Sequence, residues 1–228
     1  VTLTTNAVLL SEQMKKLYEA GIDAINISLD TLDPELFKKI ARRDYLDKVK
    51  KGIEKALSYP SVTVKINCVP LGIPEQDLTE IATLARDHQI HVRYIEMMPI
   101  GNGKNYTFRS EEDILKELEA RFGKATFSKV KLGNGPCRYY SFEGFQGKVG
   151  FISAMSHKFC GECNRVRLTS QGFLKTCLQY DTGNDLREML RDIRERIRKT
   201  VDEKPVGHRF LEESISDENS LNMSQIGG

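Results

Sequence analysis

Residues 63–99 read TVKINCVPLGIPEQDLTEIATLARDHQIHVRYIEMMP and contain two strand patterns separated by one helical pattern. TVKINCVP and HVRYIEMMP are rich in β-branched and other apolar residues, as in buried strands. Between them, DLTEIATLARDH repeats apolar residues at helical spacing, at Leu78, Ile81 and Leu84. A strand, a helix and a second strand in this order predict a right-handed crossover between parallel strands. The stretch therefore predicts an α/β fold with a parallel sheet.

The same alternation extends towards the N-terminus. VTLTT and DAINISLD are strand patterns, and SEQMKKLYEAG between them is a helical pattern with Ser11 as its predicted N-cap and Gly21 at its end. Asp33-Pro34 opens further helical sequence, with Asp33 as its predicted acidic cap and proline in the first turn. Residues 1–100 are thus a β-α-β-α-β-α-β series, which forms either an open sheet or part of a barrel. In both folds the chemistry lies at the carboxyl ends of the strands.

Two cations lie within these apolar strands. Lys65 is in the third strand pattern and Arg93 in the fourth. A charged side chain inside a strand is costly unless it faces a polar cavity or pairs with an acid. For Lys65 alone, an edge strand from which the amine reaches solvent is an equal alternative. The second cation favours an anion-binding site at the mouth of a barrel.

The pattern changes after Gly101-Asn102-Gly103. Ser110 caps a predicted helix that ends at Gly123. Strand patterns near ATFSKVKL, CRYYSFEG and GKVGFIS then predict an antiparallel sheet that leads into a cysteine segment. An arginine-rich helical pattern and a polar tail follow, and a flexible end is the simplest prediction for the tail. We therefore predict three regions: 1–100, 101–211 and 212–228.

The cysteine segment, residues 157–177, reads HKFCGECNRVRLTSQGFLKTC and has the spacing C-x2-C-x13-C. Two thiolates of a tight turn can bind one metal centre, which a third closes from a later segment. A [4Fe-4S] cluster with one iron left open fits this spacing, and so does a zinc site with His157 as fourth ligand. The segment is too polar for three unrelated core thiols. Arg165 and Arg167 face the same side of an extended segment. Their guanidinium groups can each donate two hydrogen bonds to one phosphate.

The composition narrows the function further. A net charge of +2 over 228 residues gives no broad support for binding nucleic acid or membranes. Three of the five cysteines lie in metal spacing, which fits a reducing cytoplasm and leaves Cys68 and Cys137 as core or strand thiols. No apolar run has the length of a membrane span, and no signal peptide is visible. Because VTLTT reads as a strand already under way, we expect the chain to begin inside a larger fold.

The sequence resembles the MoaA family, the radical S-adenosylmethionine (SAM) GTP 3′,8-cyclases of molybdenum cofactor biosynthesis. The resemblance covers essentially the whole chain, through LTTNAVLL, NISLDTLDPELFKKI, VKIN, VRYIEMMPIGN, FCGECNRVRLTSQGFLKTCL and the final Gly-Gly. It implies part of an incomplete (β/α)6 TIM-like barrel, followed by a C-terminal α+β region that binds a [4Fe-4S] cluster. It also implies a homodimer, with GTP and SAM as substrates. The reaction implied is the radical conversion of GTP to (8S)-3′,8-cyclo-7,8-dihydroguanosine 5′-triphosphate.

The resemblance also assigns roles to single residues. The implied ligands of the C-terminal cluster are Cys160, Cys163 and Cys177. The implied GTP-binding residues are Thr4, Lys65, Arg93, Arg165, Val166 and Arg167. Ser28 and Met98 match positions that contact SAM, and Gly227 and Gly228 match a tail that reaches into the active site.

The sequence departs from the family at three places. None of the five cysteines forms the C-x3-C-x2-C motif of the radical-generating cluster, so that cluster is expected only in the complete protein. Ala7 stands where the family usually has glycine, and CVPLGIPEQD is one residue shorter than usual. We therefore expect this chain to bind GTP without turning it over. The alternative is a non-catalytic nucleotide-binding module stabilised by zinc or an iron–sulfur cluster.

Overall fold

The computed structural model describes residues 1–180, 182–187 and 192–210. The chain separates into two compact units. The barrel unit comprises Val1–Met97 and Thr107–Ser156, and the cysteine unit comprises Met98–Tyr106 and the described residues from His157 onward. Among the described residues, no helix combines the length and apolarity needed to cross a membrane.

The barrel unit is built on one seven-stranded sheet. Its strands are β1 (Thr2–Thr5), β2 (Ala24–Ser28), β3 (Thr63–Cys68), β4 (Ile90–Ile95), β5 (Thr126–Ser128), β6 (Arg138–Ser141) and β7 (Val149–Ile152). They lie in the order β1-β2-β3-β4-β7-β6-β5. The pairs from β1 to β4 are parallel, and β7 is parallel to β4. The fold is thus a mixed α/β structure with a mostly parallel sheet, as predicted.

The predicted antiparallel pairing is confirmed for β5, β6 and β7, but these strands do not form a sheet of their own. They extend the main sheet, because β7 pairs in parallel with β4 and in antiparallel fashion with β6. Three of the four residues of β7 are buried, which suits an inner position in a sheet. Strand periodicity reveals the strands but not their partners, so the sequence pattern missed this pairing.

Five helices accompany the sheet: α1 (Leu10–Glu19), α2 (Pro34–Ala41), α3 (Leu46–Leu57), α4 (Leu78–Asp87) and α5 (Glu111–Phe122). The predicted caps of α2 and α5 are confirmed. The carboxylate of Asp33 accepts a hydrogen bond from the Leu36 amide at 2.7 Å, and the hydroxyl of Ser110 accepts one from the Asp113 amide at 3.2 Å.

The predicted cap of α1 is wrong, because Ser11 lies inside the first turn of the helix. The turn before α1 is held instead by the side chains of Thr5 and Asn6, which accept hydrogen bonds from the amides of Ala7 and Val8. These short polar side chains satisfy the backbone before the helix begins, so no cap at Ser11 is needed.

Ala7 adopts a left-handed backbone conformation in this turn, with φ at 61°. Glycine is favoured in that region because it has no Cβ to clash with the backbone. The Ala7 methyl is nevertheless fully buried in the core of the barrel unit. The departure from glycine at this position therefore combines a strained backbone with a buried apolar contact.

The core of the barrel unit lies between the sheet and its helices. Met14 of α1, Ile53 of α3 and Ile81 of α4 all join one apolar cluster with the buried residues of the strands. Cys68 is fully buried in this cluster, as predicted for a core thiol. The helices thus bury one apolar face each, as the spacing in the sequence predicted.

The cysteine unit contains a small antiparallel sheet and one helix. The strands are β8 (Arg167–Leu168), β9 (Phe173–Lys175) and β10 (Gly183–Asp185), in the order β10-β9-β8, and the helix is α6 (Ile193–Asp202). Short 3-10 helices span Gly101–Asn105 and Cys160–Glu162.

The compact units do not follow the predicted boundary at residue 100. Thr107–Ser156 clusters with Val1–Met97, because β7 completes the parallel sheet. The functions predicted for 1–100 and 101–211 stay predictions, and the predicted tail 212–228 lies outside the described residues.

Candidate functional site

A row of polar side chains crosses one face of the sheet in the barrel unit. Asn26 of β2 pairs with Lys65 of β3, and Asn67 of β3 pairs with Arg93 of β4. Residues paired across a sheet have their side chains on the same face, and so do residues two apart along one strand. The two cations predicted from the sequence therefore lie on the same face of neighbouring strands, diagonally across from each other.

Lys65 lies on an inner strand of the sheet, and its side chain is buried, with 6% of the residue exposed. The edge-strand alternative is therefore wrong. The ammonium donates a hydrogen bond of 2.5 Å to the backbone carbonyl of Leu132. Burial lowers the pKa of the Lys65 ammonium, and the nearby Arg93 guanidinium lowers it further. The surroundings of Lys65 thus disfavour the protonated, charged form of its amine.

Arg93 is held by neutral side chains. Its Nε and Nη2 atoms donate to the Asn67 carbonyl oxygen at 2.9 and 2.6 Å, and Nη2 also donates to the Asn26 carbonyl oxygen at 2.8 Å. In the part of the chain that the structure describes, no carboxylate forms an ion pair with Arg93 or Lys65. Two nearby cations without a counter-charge favour the binding of an anion.

Thr4 of β1 is linked to this row. Its hydroxyl accepts a hydrogen bond of 3.4 Å from the Asn26 amide, which in turn binds Arg93. Because β1 is an edge strand, Thr4 is exposed. The structure thus brings together Thr4, Lys65 and Arg93, three of the six residues predicted to bind GTP.

Sequence reasoning missed His91, which lies two residues before Arg93 on the same face of β4. Its Nδ1 atom accepts a hydrogen bond of 3.2 Å from the Lys148 amide. Burial, and then the charges of Lys65, Lys148 and Arg93, lower the pKa of His91 to about 4. The imidazole is therefore neutral near pH 7 and adds no charge to the row. Alternation along β4 is the signal that could have revealed it.

Ser28, predicted to contact SAM, ends β2 and lines a cleft of about 610 Å³ in the barrel unit. Asn6, Asp30 and Thr31 add polar groups to the cleft, and Phe37 of α2 contributes to its apolar wall. The Asp30 carboxylate accepts a hydrogen bond of 2.8 Å from the Val69 amide, and burial raises its pKa. The cleft thus lies at the carboxyl end of β2, where the fold was predicted to place chemistry.

Met98 belongs to the cysteine unit, whereas Ser28 belongs to the barrel unit. Met98 is half-buried, and its carbonyl accepts a hydrogen bond of 2.7 Å from the Ile100 amide. The SAM contact predicted for each of these two residues stays a prediction.

The first two cysteines of the predicted cluster site lie in one turn. Cys160 opens a 3-10 helix, and the Cys163 amide donates a hydrogen bond of 3.1 Å to the Cys160 carbonyl. Cys177 comes two residues after β9, and all three thiols are half-buried. No three His, Cys, Asp or Glu side chains within the described ranges are placed to hold a metal ion. The turn and the donors suit a metal centre, but the three thiols are not assembled around one point.

Arg165 and Arg167 differ in solvent exposure, although the predicted extended segment would place both on the same side. Arg165 precedes the two-residue strand β8 and is exposed, whereas Arg167 begins β8 and is half-buried. Burial lowers the pKa of Arg167, and the nearby charge of Arg165 lowers it further. Val166 between them is 43% exposed. The two guanidiniums thus lie near each other, although they do not share a regular strand.

Lys204 anchors the cysteine segment from the residues after α6. Its ammonium donates to the backbone carbonyls of Arg165 at 2.6 Å and Thr176 at 2.9 Å. These contacts tie the residues before β8 to those before Cys177. The predicted tail residues Gly227 and Gly228 lie outside the described residues.

Both halves of the chain match models of known protein families. Residues 1–85 match the family model of the Radical SAM superfamily, and residues 90–210 match the model Molybdenum Cofactor Synthesis C. A protein of Clostridium perfringens (strain 13) named GTP 3′,8-cyclase is 42% identical over 235 residues, which cover 100% of this chain and 72% of that protein.

Two further relatives with the same name come from other bacteria. The protein of Syntrophomonas wolfei is 41% identical over 238 residues, and that of Petrotoga mobilis is 37% identical over 235 residues. Each match covers 100% of this chain and 72% of the relative. This chain therefore belongs to the GTP 3′,8-cyclase (MoaA) family of radical SAM proteins.

Proposed function

We propose that this chain binds GTP as the substrate-binding part of a GTP 3′,8-cyclase of molybdenum cofactor biosynthesis. The observation that carries the proposal is the pair of adjacent cations, Lys65 and Arg93, which have no carboxylate partner in the described residues. A triphosphate offers the negative charge that this pair lacks. The names of the relatives and the two family models support GTP as the source of that triphosphate.

Lys65 and Arg93 bind phosphate oxygens in this proposal, and the Thr4 hydroxyl adds a polar contact at the edge of the row. In the cysteine segment, the proposal assigns GTP contacts to Arg165, Val166 and Arg167. Arginine forks pair with two oxygens of one phosphate, so they fix orientation as well as charge. Holding the nucleotide at several points orders its sugar and base before any reaction begins.

Cys160, Cys163 and Cys177 would hold the C-terminal [4Fe-4S] cluster. Three thiolates match its donor preference, and the turn from Cys160 to Cys163 brings two of them from one short segment. When bound, such a cluster supplies one open iron to which a substrate atom can coordinate. The cysteine segment itself contributes the thiolates and the neighbouring guanidiniums of Arg165 and Arg167.

The same proposal assigns a SAM contact to Ser28 in the barrel unit and, separately, a SAM contact to Met98 in the cysteine unit. The cleft beside Ser28 has a size and mixed polarity that suit a nucleoside-sized ligand. The cluster that generates the radical in the family needs a cysteine motif that the five cysteines of this chain do not form. We therefore assign substrate binding to this chain and radical generation to the complete protein. The cytoplasmic location, the homodimer and the lack of nucleic-acid or membrane partners stay predictions.

Metal and acid-labile sulfide analysis of the chain purified without oxygen tests this assignment. We expect about four irons and four sulfides per chain. His157→Ala should retain the iron, because only a zinc site would use His157 as its fourth ligand. A colourless protein with one zinc that is lost in His157→Ala would instead support a zinc-stabilised nucleotide-binding module.

A further inference from the structure

Tyr139 of β6 extends the row of polar side chains beyond Arg93. Arg93 pairs with Gly150 of β7, and Gly150 pairs with Tyr139. These three residues therefore lie side by side across three strands and face the same side of the sheet. Gly150 has no side chain, so the space between Arg93 and Tyr139 on this face can be filled by neighbouring side chains.

The Cys137 thiol and the Tyr139 ring share that place. A Cβ atom at residue 150 would lie 2.5 Å from the Cys137 Sγ atom and 2.8 Å from a ring carbon of Tyr139, both closer than real contacts allow. The ring also meets His91 in an edge-to-face arrangement, with 6.1 Å between the centroids. Gly150 thus permits the phenol to reach across β7 towards the surroundings of Arg93.

The Tyr139 hydroxyl is buried and forms no hydrogen bond of ordinary geometry among the described residues, although the Arg93 guanidinium and the Cys137 thiol lie beside it. Only 2% of the residue is exposed. A buried hydroxyl without a partner is costly, and such groups are uncommon in folded proteins. Tyr140, the next residue, shows the ordinary arrangement, since its hydroxyl donates to the Glu111 carboxylate at 3.0 Å.

We propose that Tyr139 is a further GTP-contacting residue, whose hydroxyl donates a hydrogen bond to a phosphate oxygen held by Lys65 and Arg93. This inference rests on the proposed function, and it adds a neutral donor to the two cations. A phosphate oxygen is the acceptor that the unpartnered phenol lacks. Lys65 pairs with His91, two residues before Arg93, so its side chain lies on the same face of the sheet.

The test is calorimetric titration of the full chain, purified without oxygen, with inorganic triphosphate and separately with GTP. Tyr139→Phe removes one oxygen and should weaken the binding of both ligands by about tenfold, as expected for one charge-assisted hydrogen bond. Its melting temperature should stay equal to that of the wild type or rise, because no hydrogen bond is lost. Tyr140→Phe is the matched control, which should lower the melting temperature and leave both affinities unchanged.

Unchanged triphosphate affinity in Tyr139→Phe would overturn the inference, and so would a wild-type chain that does not bind triphosphate. Equal losses of affinity in Tyr139→Phe and Tyr140→Phe would also overturn it, because they would indicate a general effect on the fold. A wild-type chain that binds triphosphate but not GTP would refute the proposed function. In that case the effect of Tyr139→Phe on triphosphate binding still decides the role of the phenol.

Discussion

Replacing Lys65 by methionine should weaken GTP binding by about thirtyfold, the equivalent of about 2 kcal/mol for a buried ammonium that binds phosphate. Methionine has nearly the same length and preserves the packing of β3, so the main change is the loss of charge. The same substitution should raise the free energy of unfolding by about 1 kcal/mol. The reason is that Lys65 is buried with one neutral carbonyl partner, that of Leu132, and has no ion pair among the described residues.

Because GTP affinity should fall while stability rises, the Lys65→Met experiment separates a loss of binding from a loss of folding. Calorimetric titration measures GTP affinity, and urea unfolding followed by circular dichroism measures stability. Lys51→Met on α3 is the control, because Lys51 is exposed and should change neither quantity. If Lys65→Met bound GTP as tightly as the wild type does, Lys65 would have no part in the site.

Replacing Glu96 by alanine should destabilise the barrel unit by about 4 kcal/mol, because it removes the acceptor of several buried donors. Glu96 follows β4 and is 3% exposed. Its carboxylate accepts hydrogen bonds from the amides of Met155 at 2.8 Å, Ser156 at 3.0 Å and Glu111 at 3.3 Å. The Ser156 hydroxyl also donates to it.

Urea unfolding with and without Glu96→Ala measures this effect. Glu112→Ala is the matched control, since Glu112 lies on α5 beside Glu111 but is exposed. Among the described residues its ion pair is with Lys116, in an i,i+4 arrangement at 2.9 Å. We expect that control to change stability by less than about 0.5 kcal/mol. A loss for Glu96→Ala as small as that of Glu112→Ala would mean that water replaces the carboxylate.

The sequence predicted the parallel sheet and the positions of its cations because both depend on local patterns. Short runs rich in β-branched and other apolar residues predicted the strands from β1 to β4, and a lysine within such a run marked Lys65 as unusual. The caps Asp33 and Ser110 followed from short-range hydrogen bonding. Such features need no knowledge of which segments meet in space.

The features that the sequence did not predict depend on long-range pairing. Tyr139 lies beside Arg93 only because β7 pairs with β4, from which it is separated by dozens of residues, and no local pattern specifies that pairing. The Glu96 contacts likewise join β4 to the turn before the cysteine segment. Ser11 was a wrong local prediction. It is a good capping residue but lies inside α1, because Thr5 and Asn6 already satisfy the backbone amides of the preceding turn.

The most direct test of the proposed GTP site is a comparison of GTP with ATP, titrated into the chain purified without oxygen. The two nucleotides share the triphosphate, so Lys65 and Arg93 serve both equally, and any difference reports recognition of the base. We expect GTP to bind at least about tenfold more tightly than ATP, a difference of about 1.4 kcal/mol. Equal affinity for the two nucleotides, or no binding of GTP, would contradict the proposal that this chain is the GTP-binding part of a GTP 3′,8-cyclase.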